Sequence, residues 1–239
     1  MNDHLVLVGD SIFDNAVYVD PGKSVSDHLG SEISSEAKLT LLAIDGDVAA
    51  GVPKQLSQLP GDATHIFMSV GGNDALGARD AIDGFSFGNL ADIAGDVPGL
   101  EKLFGLDIRR FAKEIGRIGH LLGLLEILQK EFRRNYLKAL DAVEATGLPA
   151  VVCTVYESIP GLEDQYKTAL SIFNDVIVRE ASARGFGIID LRAVCNEASD
   201  FSTISPIEPS DSGGRKIAAM IAQVYLSRDF GKPLAALYG

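Results

Sequence analysis

The stretch Leu5–Asn15, LVLVGDSIFDN, decides the fold. Its apolar run Leu5–Val8 predicts a short buried strand that ends abruptly at Gly-Asp-Ser. Two further apolar runs end in the same way: Lys38–Ile44 leads into Asp-Gly-Asp, and His65–Val70 leads into Gly-Gly-Asn-Asp. In a parallel sheet all strands have their carboxyl ends on the same side, and ligands bind there. The three polar, glycine-rich turns are therefore expected to form one site.

The rest of the chain alternates between strand and helix patterns. Pro149–Val155 and Phe186–Leu191 predict a fourth and a fifth strand. The predicted helices cover Ser24–Ile33, Val52–Leu59, Gln165–Arg184 and Gly213–Arg228, with Ser24 as an N-cap. This alternation predicts an α/β protein in which helices cover both faces of a parallel five-stranded sheet. The length of 239 residues suits one large domain or two small ones, and we predict a single domain over residues 1–239.

Residues 77–146 form a predicted helical insertion in this domain. The segment begins glycine-rich and takes on a helical pattern from about Asp107 to Ala145. That pattern is too long for one ordinary helix, and Gly116, Gly119 and Gly123 weaken its middle, so two or three helical pieces are expected. A cap over the site and a crossover helix with a surface insertion are equally good interpretations. The apolar stretch Ile115–Leu128 suits an interface as well as a core.

Composition excludes several classes of partner. The net charge of −12 repels nucleic acid and anionic membrane surfaces, and no dense Lys/Arg cluster opposes it. No apolar run reaches membrane-spanning length and no leader pattern opens the chain, so a cytoplasmic location is expected. Cys153 and Cys195 lack metal-ligand spacing and are expected to be reduced. We expect no metal and no cofactor, since no phosphate-binding glycine motif follows the first strand.

Together, the motifs resemble those of the GDSL/SGNH hydrolase family. Gly-Asp-Ser at Ser11 resembles the family's first block, Gly46 its second, and Gly71–Asp74 its Gly-x-Asn-Asp block. The resemblance covers nearly the whole chain and implies a three-layer, flavodoxin-like fold that hydrolyses esters and thioesters. It also implies that Ser11 is the nucleophile. The backbone N–H groups of Ser11 and Gly46 and the amide of Asn73 would form the oxyanion hole.

The last family block departs from its pattern. Asp-x-x-His-Pro before the final helix corresponds here to Ser205-Pro-Ile-Glu208-Pro, so Ser205 replaces the Asp and Glu208 replaces the His. A bacterial sub-branch of GDSL-like proteins carries a similar segment. None of the chain's histidines is a ready substitute. His4 and His65 belong to the opposite end of the sheet, His28 is expected on the surface of the first helix, and His120 lies in the insertion.

Glu208 is therefore the candidate base. A carboxylate is a weaker base than imidazole, but burial beside Ser11 would raise its pKa towards neutrality. An equally good interpretation is that Glu208 only accepts backbone hydrogen bonds, and an alternative for Ser11 is a turn or cap residue. Asp211 is a possible support for Glu208. Asp10 and Asp74 are possible supporting residues of the site, and Asp10 and Asp14 are expected to fix the Ser11 loop by accepting backbone hydrogen bonds.

The sequence thus predicts a serine esterase or thioesterase acting on a small acyl or acetyl ester. Its expected partner is this small-molecule substrate, with neither nucleic acid nor membrane, and the sequence leaves the oligomeric state open. The alternative, motivated by the changes at Ser205 and Glu208, is a catalytically impaired protein that binds an acylated or acetylated small molecule on the same scaffold.

Overall fold

The computed structural model describes residues 3–33, 35, 37–83, 108–227, 230 and 236–239. Within them, six parallel strands form one sheet in the order β2-β1-β3-β4-β5-β6. The strands are β1 (Asp3–Gly9), β2 (Ala37–Leu41), β3 (His65–Ser69), β4 (Ala150–Cys153), β5 (Gly187–Ile189) and β6 (Leu237–Tyr238). The parallel sheet is confirmed, with one strand more than the five predicted. The two residues of β6, which pair with β5, are too few to form a detectable pattern.

Helices cover both faces of this sheet, as predicted. They are α1 (Val25–Ile33), α2 (Val52–Leu56), α3 (Gly72–Asp83), α4 (Ile108–Ala145), α5 (Asp164–Ala183), α6 (Leu191–Val194) and α7 (Asp211–Ser227). Single 3₁₀ turns lie at Ala16–Tyr18, Ala49–Gly51 and Ala198–Asp200. The Ser24 hydroxyl accepts a hydrogen bond from the Asp27 N–H, which confirms the predicted cap of α1.

The core has two layers because alternate strand residues point to opposite faces. On one face, Val6 and Val8 of β1 pack with buried side chains of α2, α4 and α5. On the other, Leu5 and Leu7 pack with buried side chains of α1 and α7. The chain is therefore a three-layer α/β/α sandwich.

The long helix α4 is continuous, whereas the sequence predicted two or three separate helices. It runs without interruption for 38 residues. Its second half inserts Phe132, Tyr136, Leu140 and Val143 into the core. Tertiary packing of one apolar face outweighs the cost of about 1 kcal/mol for each interior glycine. This half covers the sheet as a crossover helix does. Residues 84–107 of the predicted insertion lie outside the described residues.

The strand order places a topological switch point between β1 and β3. The chain leaves β1 towards one edge, through β2, and continues from β3 towards the other. Ser11 follows β1 and Asn73 follows β3, so the two residues lie at the ends of neighbouring strands. In open parallel sheets this position is the usual location of a ligand site.

Two further features of the described residues bear on the predicted chemistry. Cys153 and Cys195 are both free thiols buried in the core. No described helix combines the length and apolarity needed to cross a bilayer, and the described residues contain no group of His, Cys, Asp and Glu arranged to hold a metal ion.

Candidate active site

A hydrogen bond joins Ser11 to Glu208 across the site. The Ser11 Oγ donates to Glu208 Oε1 at 3.0 Å, although the two residues lie 197 positions apart in the chain. Both side chains are buried, at 5% and 4% exposure. This distance and direction would allow a proton to pass from the hydroxyl to the carboxylate. The structure thus brings together the two residues that the sequence nominated for catalysis.

Backbone contacts hold Glu208 in place. The Glu208 N–H donates to the Ser205 carbonyl at 2.9 Å, and the Glu208 carbonyl accepts from the Ser202 N–H at 2.8 Å. Just before it, the Ile207 carbonyl accepts a hydrogen bond of 2.6 Å from the buried hydroxyl of Tyr156. The carboxylate is therefore presented by an anchored loop rather than by a flexible one.

Asn15 connects the Ser11 loop to the Glu208 loop. Its Oδ1 accepts from the Val25 N–H at 2.9 Å, and its Nδ2 donates to the Pro209 carbonyl at 3.1 Å. Asn15 is fully buried, so losing either bond would leave a costly unpaired group. The sequence pattern predicted no role for Asn15. The one feature of the sequence that could have indicated its role is its position, as a polar residue between Gly-Asp-Ser and the first predicted helix.

Burial raises the pKa of Glu208 to about 7. The hydrogen bond from Ser11 opposes this rise, and the negative charge of Asp45 adds to it. The second carboxylate oxygen, Oε2, is buried without a hydrogen-bond partner. A carboxyl group that titrates near neutrality can take up and release a proton at ordinary pH, which is the property required of a general base.

Ser205 does not act on Glu208 as the family's Asp acts on its His. The contacts of Ser205 are made by its backbone: its carbonyl accepts from the Glu208 N–H, and its N–H donates to Ser202 Oγ. Within the described part of the chain, no second carboxylate is hydrogen-bonded to Glu208. The described contacts of Ser205 with Glu208 are thus made by the backbone of the loop.

Asp10 is the second buried acid of the site. Its Oδ1 accepts from the Ile12 N–H at 3.2 Å, while Oδ2 faces the Gly72 N–H without a well-formed hydrogen bond. Burial raises its pKa to about 8, and the charges of Glu208 and Asp74 add to the rise. Asp10 is therefore protonated at neutral pH. Asp14 Oδ2 accepts from the Asp45 N–H at 3.0 Å, so both acids fix the loop as predicted.

The three candidate oxyanion donors do not all line the same cavity. In the described part of the chain, the backbone N–H groups of Ser11 and Gly46 donate no hydrogen bond. Asn73 lines the same cavity as Ser11, whereas Gly46, with a φ of 79°, lines a second groove beside Asp45 and Asp47. The Asn73 amide donates one hydrogen bond of 2.9 Å to the Asp47 carbonyl, which leaves its second hydrogen for a ligand.

A network of polar side chains holds the three loops together. Asp74 accepts from the Ala49 N–H at 2.9 Å, so its role in the structure is to anchor a neighbouring loop. Gln55, which no sequence motif indicated, bonds to both the N–H and the carbonyl of Gly9 at 2.7 Å, and also to Asp47. A buried glutamine in a short helix gives no sequence signal of its own.

Asp211 and the histidines lie away from this cluster. Asp211 Oδ1 accepts from the Lys23 N–H at 2.8 Å and bonds to His28 at 3.1 Å, so these residues, and not Glu208, are its partners. The His28 side chain is mostly buried, contrary to the expectation of a surface residue, because it reaches from α1 to Asp211 at the start of α7. His4 and His65 lie in β1 and β3 at the opposite end of the sheet, as expected. The side chain of His120 lies outside the described residues.

An apolar cavity opens beside Ser11. Its polar end is formed by Asp10, Ser11, Asn73 and Glu208, and the rest of its wall is mostly apolar: Ile12, Gly72, Ala75, Leu76, Val155, Tyr156, Ile159, Leu162, Tyr166, Ala169, Leu170 and Ile207. A convergent set of polar groups at the end of an apolar pocket is typical of a small-molecule site.

Solved structures of lipases and esterases share this fold. A member of the lipolytic G-D-S-L family from Veillonella parvula superposes with a TM-score of 0.63 at 16% identity, covering 94% of this chain and 99% of its own. An extracellular lipase from Streptomyces rimosus gives 0.61 at 16% identity, with the same coverage of both chains. An acetylxylan esterase from Geobacillus stearothermophilus gives 0.57 at 14% identity, covering 95% of each chain.

No protein-family model and no curated protein matches the sequence itself. At these identities the structural similarity establishes the fold. The chain therefore has the fold of GDSL/SGNH hydrolases, as the motifs implied, over nearly its whole length.

Proposed function

We propose that this protein is a serine esterase in which Glu208 replaces the usual histidine base. The observation that carries the proposal is the buried hydrogen bond from Ser11 Oγ to Glu208 Oε1. A serine in a merely structural turn would not need a carboxylate at this position. The fold shared with lipases and esterases supports an ester substrate.

The reaction proceeds in two halves. In the first, Ser11 Oγ attacks the carbonyl carbon of the ester while Glu208 takes the hydroxyl proton. Glu208 then gives that proton to the departing alcohol, and the acyl group remains on Ser11. In the second half, Glu208 takes a proton from water, the resulting hydroxide attacks the acyl carbonyl, and the acid is released as Ser11 recovers its proton.

The negative oxygen formed in each half needs hydrogen-bond donors. The Ser11 N–H and the second amide hydrogen of Asn73 are available at the edge of the cavity. Gly46 would contribute its N–H if substrate binding drew its loop towards Ser11. Removing one such donor typically slows a reaction about 10²- to 10³-fold.

The test is covalent labelling combined with turnover. Wild type, Ser11→Ala and Ser171→Ala are each incubated with a p-nitrophenyl alkylphosphonate, and intact mass is recorded. Wild type and Ser171→Ala, which changes an exposed serine of α5, should gain one phosphonyl group. Ser11→Ala should gain none, and its hydrolysis of p-nitrophenyl butyrate should fall at least about 10³-fold.

Equal labelling or equal hydrolysis in wild type and Ser11→Ala would contradict the proposal. If wild type shows neither labelling nor turnover while short acyl amides bind to it, the alternative of a binding protein on the same scaffold is favoured. The changes at Ser205 and Glu208 are the observation that motivates this alternative.

A further inference from the structure

The buried acidic side chains of this protein fall into two groups. In the described part of the chain they are Glu180, Asp200, Asp10 and Glu208. The first two each have an oxygen 2.7 Å from a nitrogen of an arginine or a lysine. Asp10 and Glu208 form no ion pair with any described residue, and each keeps one oxygen without a well-formed hydrogen bond. Burial of an acid without a positive partner is uncommon, and both of these acids line the cavity beside Ser11.

Further acids surround this cavity on the loops at the carboxyl end of the sheet. They are the aspartates that follow β1, β2 and β3: Asp14, Asp45, Asp47 and Asp74. Their hydrogen-bond donors are neutral backbone N–H groups, one amide and one hydroxyl. None of the four is ion-paired with another described residue. The groove that Gly46 lines contains one described cation, Lys54, and two of these acids. The electrostatic field at the entrance to the site is therefore negative.

The alcohol part of an ester would lie on the Glu208 side of Ser11. In the proposed reaction Glu208 gives its proton to the departing alcohol oxygen, so that oxygen lies against the carboxyl group. Asp45 is the charged neighbour there, since its negative charge adds to the rise in the pKa of Glu208. The hydroxyl of the half-buried Tyr18 donates to Asp45 Oδ2 at 2.9 Å, and the exposed side chain of Ile44 precedes Asp45. A carboxylate, an aromatic ring and an apolar side chain thus lie together where the alcohol would leave.

These groups suit a positively charged alcohol. An ammonium group near Asp45 would be attracted by that carboxylate and by the other acids of the site. The ring of Tyr18 offers an aromatic face of the kind that binds methylated ammonium groups. An anionic alcohol would be repelled by the same acids, and an uncharged alcohol would gain no attraction from them.

We propose that the site selects esters whose alcohol part carries a positive charge, an amino alcohol or a quaternary ammonium alcohol, and that Asp45 recognises this charge. The inference rests on the proposed esterase function and names the substrate class for it. A bound cation gives Glu208 the positive partner that the buried acids elsewhere in the protein have.

The first experiment compares two esters of the same shape, butyrylcholine and 3,3-dimethylbutyl butyrate, in which carbon replaces the charged nitrogen. Their hydrolysis is followed by acid release near neutral pH. At low ionic strength, kcat/KM should be at least about tenfold higher for butyrylcholine. Sodium chloride at about 0.5 M should lower this ratio at least about threefold, because salt screens the attraction between the charges. Equal kcat/KM for the two esters at low ionic strength would overturn the inference.

The second experiment removes the charge that recognises the alcohol. In Asp45→Asn the ratio of kcat/KM between the two esters should fall to less than about threefold. Glu32→Gln removes one negative charge from an exposed position near the end of α1, shortly before β2 begins at the opposite end of the sheet, and should leave the ratio unchanged. A wild-type ratio in Asp45→Asn would overturn the role of Asp45. Urea unfolding of both variants checks that they are folded.

The third experiment separates the inference from the proposed function. Binding of the same two esters to Ser11→Ala, which lacks the nucleophile, is measured by calorimetry. Butyrylcholine should bind at least about tenfold more tightly than 3,3-dimethylbutyl butyrate, and Asp45→Asn in the same background should remove most of the difference. This result would support recognition of the cation even if wild type hydrolysed neither ester. Equal affinity, or no binding of either ester, would overturn the inference even if esters were hydrolysed.

Discussion

The two ends of the sheet bury ionisable side chains in different ways. At the amino end, His4 uses both ring nitrogens, bonding to Asp62 Oδ1 at 2.8 Å and to Thr40 Oγ1 at 2.7 Å. At the carboxyl end, Asp10 and Glu208 each keep one oxygen that is buried without a partner. Unpaired buried groups are costly and uncommon.

This difference separates a structural from a functional cluster. A fully bonded histidine stabilises the fold and has little capacity left for chemistry. Two carboxyl groups with unpaired oxygens beside a serine lower the stability of the fold. Proteins typically keep such destabilising groups where a ligand or a reaction needs them. We therefore expect substitutions at the carboxyl end to change activity and substitutions at the amino end to change stability.

The largest expected effect is that of Glu208→Gln. Loss of the base should lower kcat about 10²- to 10⁴-fold while the cavity and Ser11 remain. In wild type the ionised form of Glu208 is the active one. Because the pKa of Glu208 is about 7, kcat/KM should rise with pH and reach half its maximum near pH 7. Steady-state hydrolysis of p-nitrophenyl hexanoate between pH 5 and 9 measures both effects.

Glu131→Gln is the matched control for this variant, since it makes the same chemical change on the exposed surface of α4. It should retain the wild-type rate and pH profile. Full activity in Glu208→Gln would assign Glu208 to the loop structure and would remove the proposed contrast between the two ends of the sheet.

A smaller loss of activity is expected for Asn73→Ala. The variant removes one oxyanion donor and should lower kcat about 10²-fold with little change in KM. Asn196→Ala, at an exposed position after α6, serves as the control and should leave kcat unchanged. A parallel loss of kcat and stability would instead identify the bond from Asn73 to the Asp47 carbonyl as its main contribution.

Asp10→Asn tests the cost of the buried acid. In the unfolded chain Asp10 ionises near pH 4, whereas in the folded protein it keeps its proton up to about pH 8. The folded state therefore binds more protons between these values, and the contribution of Asp10 to stability falls as pH rises from 4 to 8. Relative to wild type, Asp10→Asn should therefore be more stable at pH 8 than at pH 4, by about 5 kcal/mol in the free energy of unfolding.

Urea unfolding of both proteins at pH 4 and pH 8 measures this change. Asp175→Asn, which alters an exposed carboxylate on α5, should not reproduce it. If wild type and Asp10→Asn differ by the same amount at both pH values, Asp10 does not hold its proton in the folded protein.

The smallest effect on activity is expected at the amino end of the sheet. His4→Ala removes two partly buried hydrogen bonds and should lower the free energy of unfolding by about 2 kcal/mol. Hydrolysis should stay within about twofold of wild type. Lys38→Ala removes only the exposed ion pair with Asp62 and should cost less than about 1 kcal/mol. Loss of activity in a folded His4→Ala variant would contradict the separation of the two clusters.

Much of the fold was predictable because short apolar strands give strong local signals. The runs at Leu5–Val8 and His65–Val70 became β1 and β3, and the predicted five strands, with their helices, were found. The unbroken α4 and the short β6 were not predicted. The first depends on packing of Phe132 and Tyr136 in the core, and the second on pairing with β5.

The sequence by itself determined which chemical groups follow which strands. It placed Ser11 and Asn73 after neighbouring parallel strands and put a glutamate where a histidine was expected. The local sequence pattern suffices for this, because a residue that follows a parallel strand lies at the carboxyl end of the sheet.

Only the tertiary structure decided which of these groups meet. It joined Ser11 to Glu208 over 197 residues, paired Asp211 with His28, and turned Gly46 to a separate groove from the one that Asn73 lines. It also left Asp10 and Glu208 each with an unpaired oxygen. Hydrogen bonding and desolvation depend on distances of a few ångströms between distant segments, and the spacing of residues along the chain does not contain those distances.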